Sequence, residues 1–398
     1  MRNPEFFKTN RLEAMDIPGD FGIYVHIPFC VRRCKYCAFV SSVRRPVPDR
    51  EYAQVVCAQL DATKNAGQHL TTLYFGGGTP TTLGDDALAQ ILECIAKRFG
   101  TAGEITLEAN PEHVTVERAS TWKSFGITRI SLGIQSFDDA MLRILGRGHN
   151  KAQTLSAIEL LEKAGFDEIS MDLIYGAKTC GADAREVERW ESELRIVRSL
   201  PVVHLSCYEL TLEEHTPLWT ANKRNGEVLC SEDAVLDMMA CIEPLSGMTQ
   251  YEVSNYSRDG YLSRHNVSCW ACVPYIGVGA AAHSFFIDGA SIERCANLSD
   301  IRKWMETAQA QGEFLLDFTE KLSPQTHLSE RLMLAARTRF WWSPEAMTSR
   351  IGADLTPFRE GLAQAEREQL IETRDGLCRT TAKGIRLNNR LAELAISN

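Results

Sequence analysis

Long apolar runs are missing from this 398-residue chain. No stretch approaches the roughly 20 residues a membrane helix needs, so no membrane span is expected. A basic excess is missing too. Lys plus Arg number 43 against 52 for Asp plus Glu, a net charge of −9, which offers no electrostatic footprint for nucleic acid or anionic lipid. Residues 1–20 are polar and mixed in charge, without the apolar stretch of a secretory signal, so a cytoplasmic location is expected. Low-complexity tracts and repeats of solenoid period are also lacking. With 44% hydrophobic residues and balanced charge, disorder is excluded and a sizeable core is available. The 13 cysteines are odd in number and scattered, and a reducing compartment argues against a disulfide framework. Cys57, Cys94, Cys207, Cys230 and Cys241 sit among apolar neighbours and read as small buried hydrophobes.

Short β-branched and aromatic segments at 22–27, 72–75, 104–108, 129–135, 168–175 and 202–209 alternate with helical patterns. That alternation predicts parallel βα units, and the near-continuous apolar run in the fifth segment predicts a strand covered on both faces. Six units are too few for a closed eight-stranded barrel, so the expected class is α/β, a partial (β/α)6 barrel over residues 21–211, preceded by an arm at 1–20. An α+β region follows at 212–323, with a helix at 231–244, a strand at 250–253 and a Gly/Ala-rich loop near 276–282. From 324 to 398, three helices, a hairpin at 370–372 and 377–381, and a last helix predict a winged-helix-like module. It lacks a dense Lys/Arg face and reads as a packing or docking unit.

The strongest chemical signal follows the first strand, where Cys30, Cys34 and Cys37 form C-x3-C-x2-C. Three thiolates this close on one loop can bind a metal centre. Tetrahedral zinc needs a fourth ligand, for which His26 is within sequence reach. A 4Fe-4S cluster held by three cysteines leaves one iron open to an exogenous ligand. A zinc knuckle and coincidental core cysteines remain alternatives. Phe29, Tyr36 and Phe39 can shield a cluster, and Arg32, Arg33 and Lys35 can offset its charge.

Unusual polar or small residues recur at the carboxyl ends of the later strands, where parallel barrels carry their sites. Gly76-Gly77-Gly78-Thr79-Pro80 ends the second strand, and glycines there let backbone approach a ligand closely. Glu108-Ala109-Asn110-Pro111 ends the third and Gly133-Ile134-Gln135-Ser136-Phe137 the fourth. The fifth carries Asp172, and Arg147 follows the fourth in Leu145-Gly146-Arg147-Gly148-His149. Together they form a polar rim beside the cysteine loop, suited to a zwitterionic nucleoside.

C-x3-C-x2-C with an aromatic before the third cysteine, after a first strand, resembles the radical S-adenosylmethionine (SAM) superfamily. The resemblance implies a 4Fe-4S cluster on Cys30, Cys34 and Cys37 whose open iron chelates SAM and whose electron cleaves it to a 5′-deoxyadenosyl radical. Tyr24-Val25-His26-Ile27-Pro28-Phe29-Cys30, Gly76 to Pro80, Gln135-Ser136-Phe137, Leu145-Gly146-Arg147 and Asp172-Leu173-Ile174-Tyr175-Gly176 are similar to the oxygen-independent coproporphyrinogen oxidase-like group, from about Tyr24 to the C-terminus. Carried over by position, the resemblance implies SAM contacts at Tyr24, Gly77, Gly78, Thr79, Glu108, Gln135, Arg147 and Asp172, and a reductant such as flavodoxin or ferredoxin.

Departures from the group narrow the branch. Coproporphyrinogen dehydrogenases carry a fourth cysteine two residues after the third and a longer N-terminal arm. Here that position is Phe39, after Ala38, and only 29 residues precede Cys30. Both differences resemble the heme chaperone branch, as does His265-Asn266-Val267-Ser268-Cys269-Trp270, similar to its His-Asn-x-x-Tyr-Trp element. Tyr275-Ile276-Gly277-Val278-Gly279 and Ala281-Ala282-His283-Ser284 follow. That resemblance implies heme, with His265 a candidate iron ligand, Trp270, Trp342 or Tyr275 as stacking partners, region 212–323 as its cover and an unidentified acceptor protein. Cys269 stands where the branch has Tyr, and with Cys272 makes a C-x2-C that reads as inert. Ala177-Lys178-Thr179-Cys180 replaces the usual Leu-Pro-Gly-Gln beside the substrate space. The expected function is a SAM- and cluster-binding heme chaperone. A catalytic methyltransferase of the same class, or less readily a coproporphyrinogen dehydrogenase, is the competing expectation.

Overall fold

The computed structural model describes residues 9–43, 46–179, 181–226, 228–289 and 291–396, so Cys180 and most of the predicted arm before Asn10 lie outside the described residues. Strands β1 (Asp20–Ile27), β2 (His69–Gly77), β3 (Glu104–Ala109), β4 (Arg129–Gln135), β5 (Glu168–Tyr175) and β6 (His204–Glu209) lie side by side in sequence order, all parallel. This is the expected open (β/α)6 barrel.

The strands alternate more strictly than expected. Ile23, Val25 and Ile27, then Ile130, Leu132 and Ile134, then Ile169, Met171 and Leu173 face outward and join the helices in one buried core. The residues between them point inward and are polar, including Tyr74, Thr106, Glu108, Arg129, Ser131, Ser170, Asp172, His204 and Ser206. The apolar run in β5 therefore does not mark two apolar faces. A period of two puts Ser170 and Asp172 inside the barrel.

A polar interior needs closing, because buried polar groups must be paired. At the amino ends of the strands, the barrel is floored by the helix Arg264–Trp270. Glu104 accepts from the backbone N–H groups of Arg264 (3.1 Å) and His265 (2.9 Å). Arg129, 1% exposed, donates to Glu168 (2.7 Å), to Ser170 (3.0 Å) and to the carbonyl of Leu262 (2.9 Å), and pairs with Glu104 at 3.4 Å.

Residues 212–323 do not form a separate layer. Strand β9 (Tyr275–Val278), in the segment expected to be a loop, adds to β1 in parallel. β10 (His283–Asp288), β11 (Ser291–Asn297) and β12 (Leu316–Leu322) continue antiparallel. On the other side β7 (Thr249–Gln250) and β8 (Asn255–Ser257) extend β6, giving a 12-stranded sheet. The strand expected at 250–253 is divided because Val253 and Ser254 bond instead to Arg337 and Cys207.

The C-terminal module begins with a helix at Pro324–Ala336 and carries a small antiparallel sheet of β13 (Trp341–Trp342), β14 (Ile371–Arg374) and β15 (Leu377–Thr380). The final helical pattern is two helices, Ala382–Arg386 and Asn388–Ile396, broken at Leu387. The segment before β1 packs against this module through Arg11 beside Trp341 and an Asp16–Arg331 pair at 2.9 Å.

Two expectations are corrected. Cys57 and Cys94 are not separate packing residues. They face each other on adjacent helices, Cα atoms 5.9 Å apart, and are joined as a disulfide. Trp342 is 0% exposed in the core of the C-terminal module and offers no ring to a ligand.

Replacing Arg129 tests the floor. Arg129→Met leaves the Glu104 carboxylate buried without its cation and should cost roughly 3–5 kcal/mol in urea unfolding. Adding Glu104→Gln should recover part of that loss. A penalty under about 1 kcal/mol, as for a surface pair, would show that the network does not hold the floor.

Candidate functional site

Pro28 ends β1, and the loop that follows turns back through a bridge between Phe29 and Ser42. Phe29 anchors it on Tyr52, ring centroids 5.0 Å apart. Backbone bonds from Lys35 N–H to the Leu145 carbonyl (3.0 Å) and from Leu218 N–H to the Lys35 carbonyl (2.9 Å) fix its far side. Tyr36 packs against the cluster formed by Met141, Leu145 and Leu218. Phe39, expected to shield the site, stands beside it in the wall of the cavity that the cysteines line, and is 69% exposed.

Cys30, Cys34 and Cys37 are free, half-buried, and all line one cavity of about 680 Å³ at the carboxyl ends of the strands. Among the described residues, no three His, Cys, Asp or Glu side chains are placed to hold a single metal ion. One zinc ion requires its ligands to converge. A cubane takes its thiolates on separate irons, so three cysteines lining one cavity suit it.

Gly77, Gly78, Thr79, Glu108, Gln135, Arg147 and Asp172 line the same cavity. Gly77 has φ +113°, and a Cβ there would meet the His26 ring at 2.6 Å. A Cβ at Gly78 would lie 3.0 Å from Cys30 Sγ, so the bare backbone leaves room beside the thiols. Thr79 Oγ1 donates to Cys30 Sγ at 3.8 Å. Gln135 holds φ +70° where the β4–β5 register shifts, which turns its side chain to the cavity.

Arg147 ties the rim to the loop. It donates to Cys34 Sγ (3.2 Å), to Asn110 Oδ1 (2.6 Å) and to the Gly133 carbonyl, while its buried Nε has no hydrogen-bond partner among the described residues. Opposite the thiols stand two carboxyls. Burial pushes Glu108 up to about 7, against a hydrogen bond from Tyr74 (2.7 Å) that favours its ionised form. Burial likewise raises Asp172 to about 6, opposed by hydrogen bonds from Ser206 and Ser131. A cavity with sulfur on one wall, a cationic guanidinium at its edge and two carboxyls on the other can take a ligand bearing both charges.

Tyr24 and His265 are not in this wall. Tyr24 bonds to His26 Nδ1 (3.0 Å) and lies against Tyr74, ring centroids 6.1 Å apart. His265 is 7% exposed in the floor, bonded to Thr72 (3.0 Å) and stacked on Tyr74 at 4.9 Å. Burial lowers it to about 4, so it is neutral. The candidate iron ligand is thus not presented to a cavity or surface. Its helix is used to plug the barrel. Trp270 and Tyr275 are half-buried, packed on the C-terminal module and against Phe285 respectively.

Sequence reasoning missed Ser131, Glu112 and Tyr208, which also line the cavity. Ser131 has the same strand parity as Gly133 and Gln135, a signal that was legible. Glu112 and Tyr208 owe their place to a turn after β3 and to the end of β6, which no local pattern marks.

The family model described as the radical SAM superfamily matches residues 24–180. The heme chaperone HemW of Lactococcus lactis subsp. lactis is 30% identical over 376 residues, covering 93% of this chain and 96% of its own length. HemW of Synechocystis sp. is 31% identical, with 92% and 94% covered. Among solved structures, the Escherichia coli coproporphyrinogen III oxidase HemN, described as a radical SAM enzyme, superposes with a TM-score of 0.79 over 96% of this chain and 92% of its own. At 19% identity it supports the fold.

The raised carboxyl predicts a pH dependence. Glu108 holds its proton more tightly folded than unfolded, so its contribution to stability is complete below about 4.5 and fades as pH rises towards 7. The interval from 4.5 to about 7 corresponds to about 3 kcal/mol. Urea unfolding of the ligand-free chain should show that decline, and Glu108→Gln should flatten it. Equal slopes in both proteins would count against a buried Glu108 carboxyl.

Proposed function

The chain belongs to the heme chaperone HemW family, and from that premise we propose that it binds heme and passes it to an acceptor protein, with a 4Fe-4S cluster and SAM as resident cofactors. The observation that carries the cofactor half is the gathering of three free thiols and seven rim residues around one cavity. Cys30, Cys34 and Cys37 would hold the cluster through their thiolates. The cluster supplies a reducible centre with an open coordination position when bound, fed by a one-electron reductant such as flavodoxin or ferredoxin.

The chain's own groups do the positioning. Gly77 and Gly78 leave backbone exposed beside the thiols, and Thr79 orients Cys30. Arg147 steadies Cys34 and offsets thiolate charge while offering its free Nε to an anionic group. Glu108 and Asp172 would accept from donor groups of SAM, whose positive charge would favour their ionised forms. Gln135 supplies an amide at the same rim. Tyr24 acts from below by bracing Tyr74, which holds Glu108. Phe39, in the place of a fourth cysteine, puts a phenyl ring and no thiol at the cavity, in keeping with a carrier rather than a coproporphyrinogen dehydrogenase.

Anaerobic iron and sulfide analysis should find about four of each per chain, with an EPR signal altered by SAM, and Cys34→Ala should abolish both. Hemin titration should give a Soret change in the wild type. His265→Ala should lower stability yet leave that spectrum intact. Zinc in place of iron, or no Soret change, would overturn the proposal.

A further inference from the structure

Imidazole is a common ligand of heme iron, and it can serve only where the iron can reach it. Of the nine histidines, His26, His149, His204, His265 and His327 are buried, and half-buried His113 is bonded to Thr81 at 2.8 Å. Exposed imidazoles are those of His69, His215 and His283. His69 opens β2 at the floor end, away from the cysteine loop. His283 lies on the sheet wall, its ring edge-on to Phe318 at 5.6 Å.

His215 differs from both in its backbone. Its φ is +67°, in the left-handed region that favours glycine and, among the other residues, Asn, Asp and His. The turn is fixed on each side. Thr216 Oγ1 donates to the Glu213 carbonyl (2.7 Å) and accepts from the Trp219 N–H (3.2 Å), capping the helix Pro217–Asn225. Leu218 in that helix is tied to the cysteine loop through Lys35, and Thr211 and Glu213, just before His215, line the cavity. The turn places His215 two residues after the cavity-lining Glu213.

The neighbours define that use. The imidazole is tilted at 57° beside Trp219, ring centroids 6.0 Å apart, and no described residue hydrogen-bonds its ring nitrogens. Lys223, one turn on, sets its ammonium 4.1 Å from the same indole. A free imidazole, a flat apolar ring and an ammonium in one row answer to a metal, a planar macrocycle and a carboxylate.

We propose that heme docks at the mouth of the cavity with His215 as an iron ligand, Trp219 against the porphyrin and Lys223 paired with a propionate. This rests on the heme-binding reading above and gives it a location, beside the cysteine loop and on the opposite end of the barrel from His265.

The test is anaerobic hemin titration of the cluster-loaded protein, read by Soret absorption and by EPR for imidazole ligation. His215→Gly suits the backbone it replaces, so its melting temperature should not fall. It should lose the imidazole signature and bind hemin at least about tenfold more weakly. His283→Ala should keep the wild-type spectrum and affinity. Lys223→Gln should weaken hemin but not hemin dimethyl ester, which has no free carboxylate. A His215→Gly protein with the wild-type spectrum and affinity overturns the site while leaving heme binding standing, as does loss of ligation in His283→Ala. Equal weakening of both hemins overturns the propionate contact. A wild type that takes up no hemin overturns this proposal and the function it rests on.

Discussion

A parallel sheet that stops at six strands encloses a polar interior it cannot close by itself, and the remaining architecture answers that constraint. The amino end is shut by a helix whose first N–H groups land on Glu104, with Arg129 bracing Glu104 from beneath. The free edge of β1 is continued by β9 to β12 instead of meeting β6. The carboxyl end is covered by the cysteine loop, and Arg147 is the joint, one guanidinium reaching Cys34, Asn110 and Gly133. Each closure uses a different chemistry: buried ion pairs below, backbone pairing at the side, a sulfur-contacting cation above. The cavity that could take cofactors exists because the third closure is a loop and not a strand.

What could be read from sequence divides by how local its cause is. The thiols and most rim residues were legible because they sit at or just past a strand end, where a short motif and a strand boundary together fix position; Arg147 instead follows the helix Asp139–Leu145, and Asp172 lies within β5. The inward polar column was half legible. Ser170 and Asp172 looked like interruptions in an apolar run, although a two-residue period already assigned them one face. The strand at Tyr275–Val278 looked like a loop because Gly277 and Gly279 dominate its composition. Its pairing with β1 joins residues about 250 positions apart, and nothing local encodes that. The same holds for Cys57 and Cys94, whose meeting depends on two helices lying side by side.

The His265 motif shows how a family signature and a ligand site can come apart. His265 bonds to Thr72, stacks on Tyr74 and takes no part in the cavity wall, yet Tyr74 is the residue that donates to Glu108. Tyr24 lies against Tyr74 from the neighbouring strand, and its own hydroxyl is held by His26. The helix that floors the barrel therefore reaches the cofactor cavity through a stack of three rings. Loss of the imidazole would free Tyr74 to move, and Glu108 would lose the hydrogen bond that favours its charged form while still paying the desolvation that opposes it. On this geometry the motif acts on the cavity by holding its carboxyl in place from below.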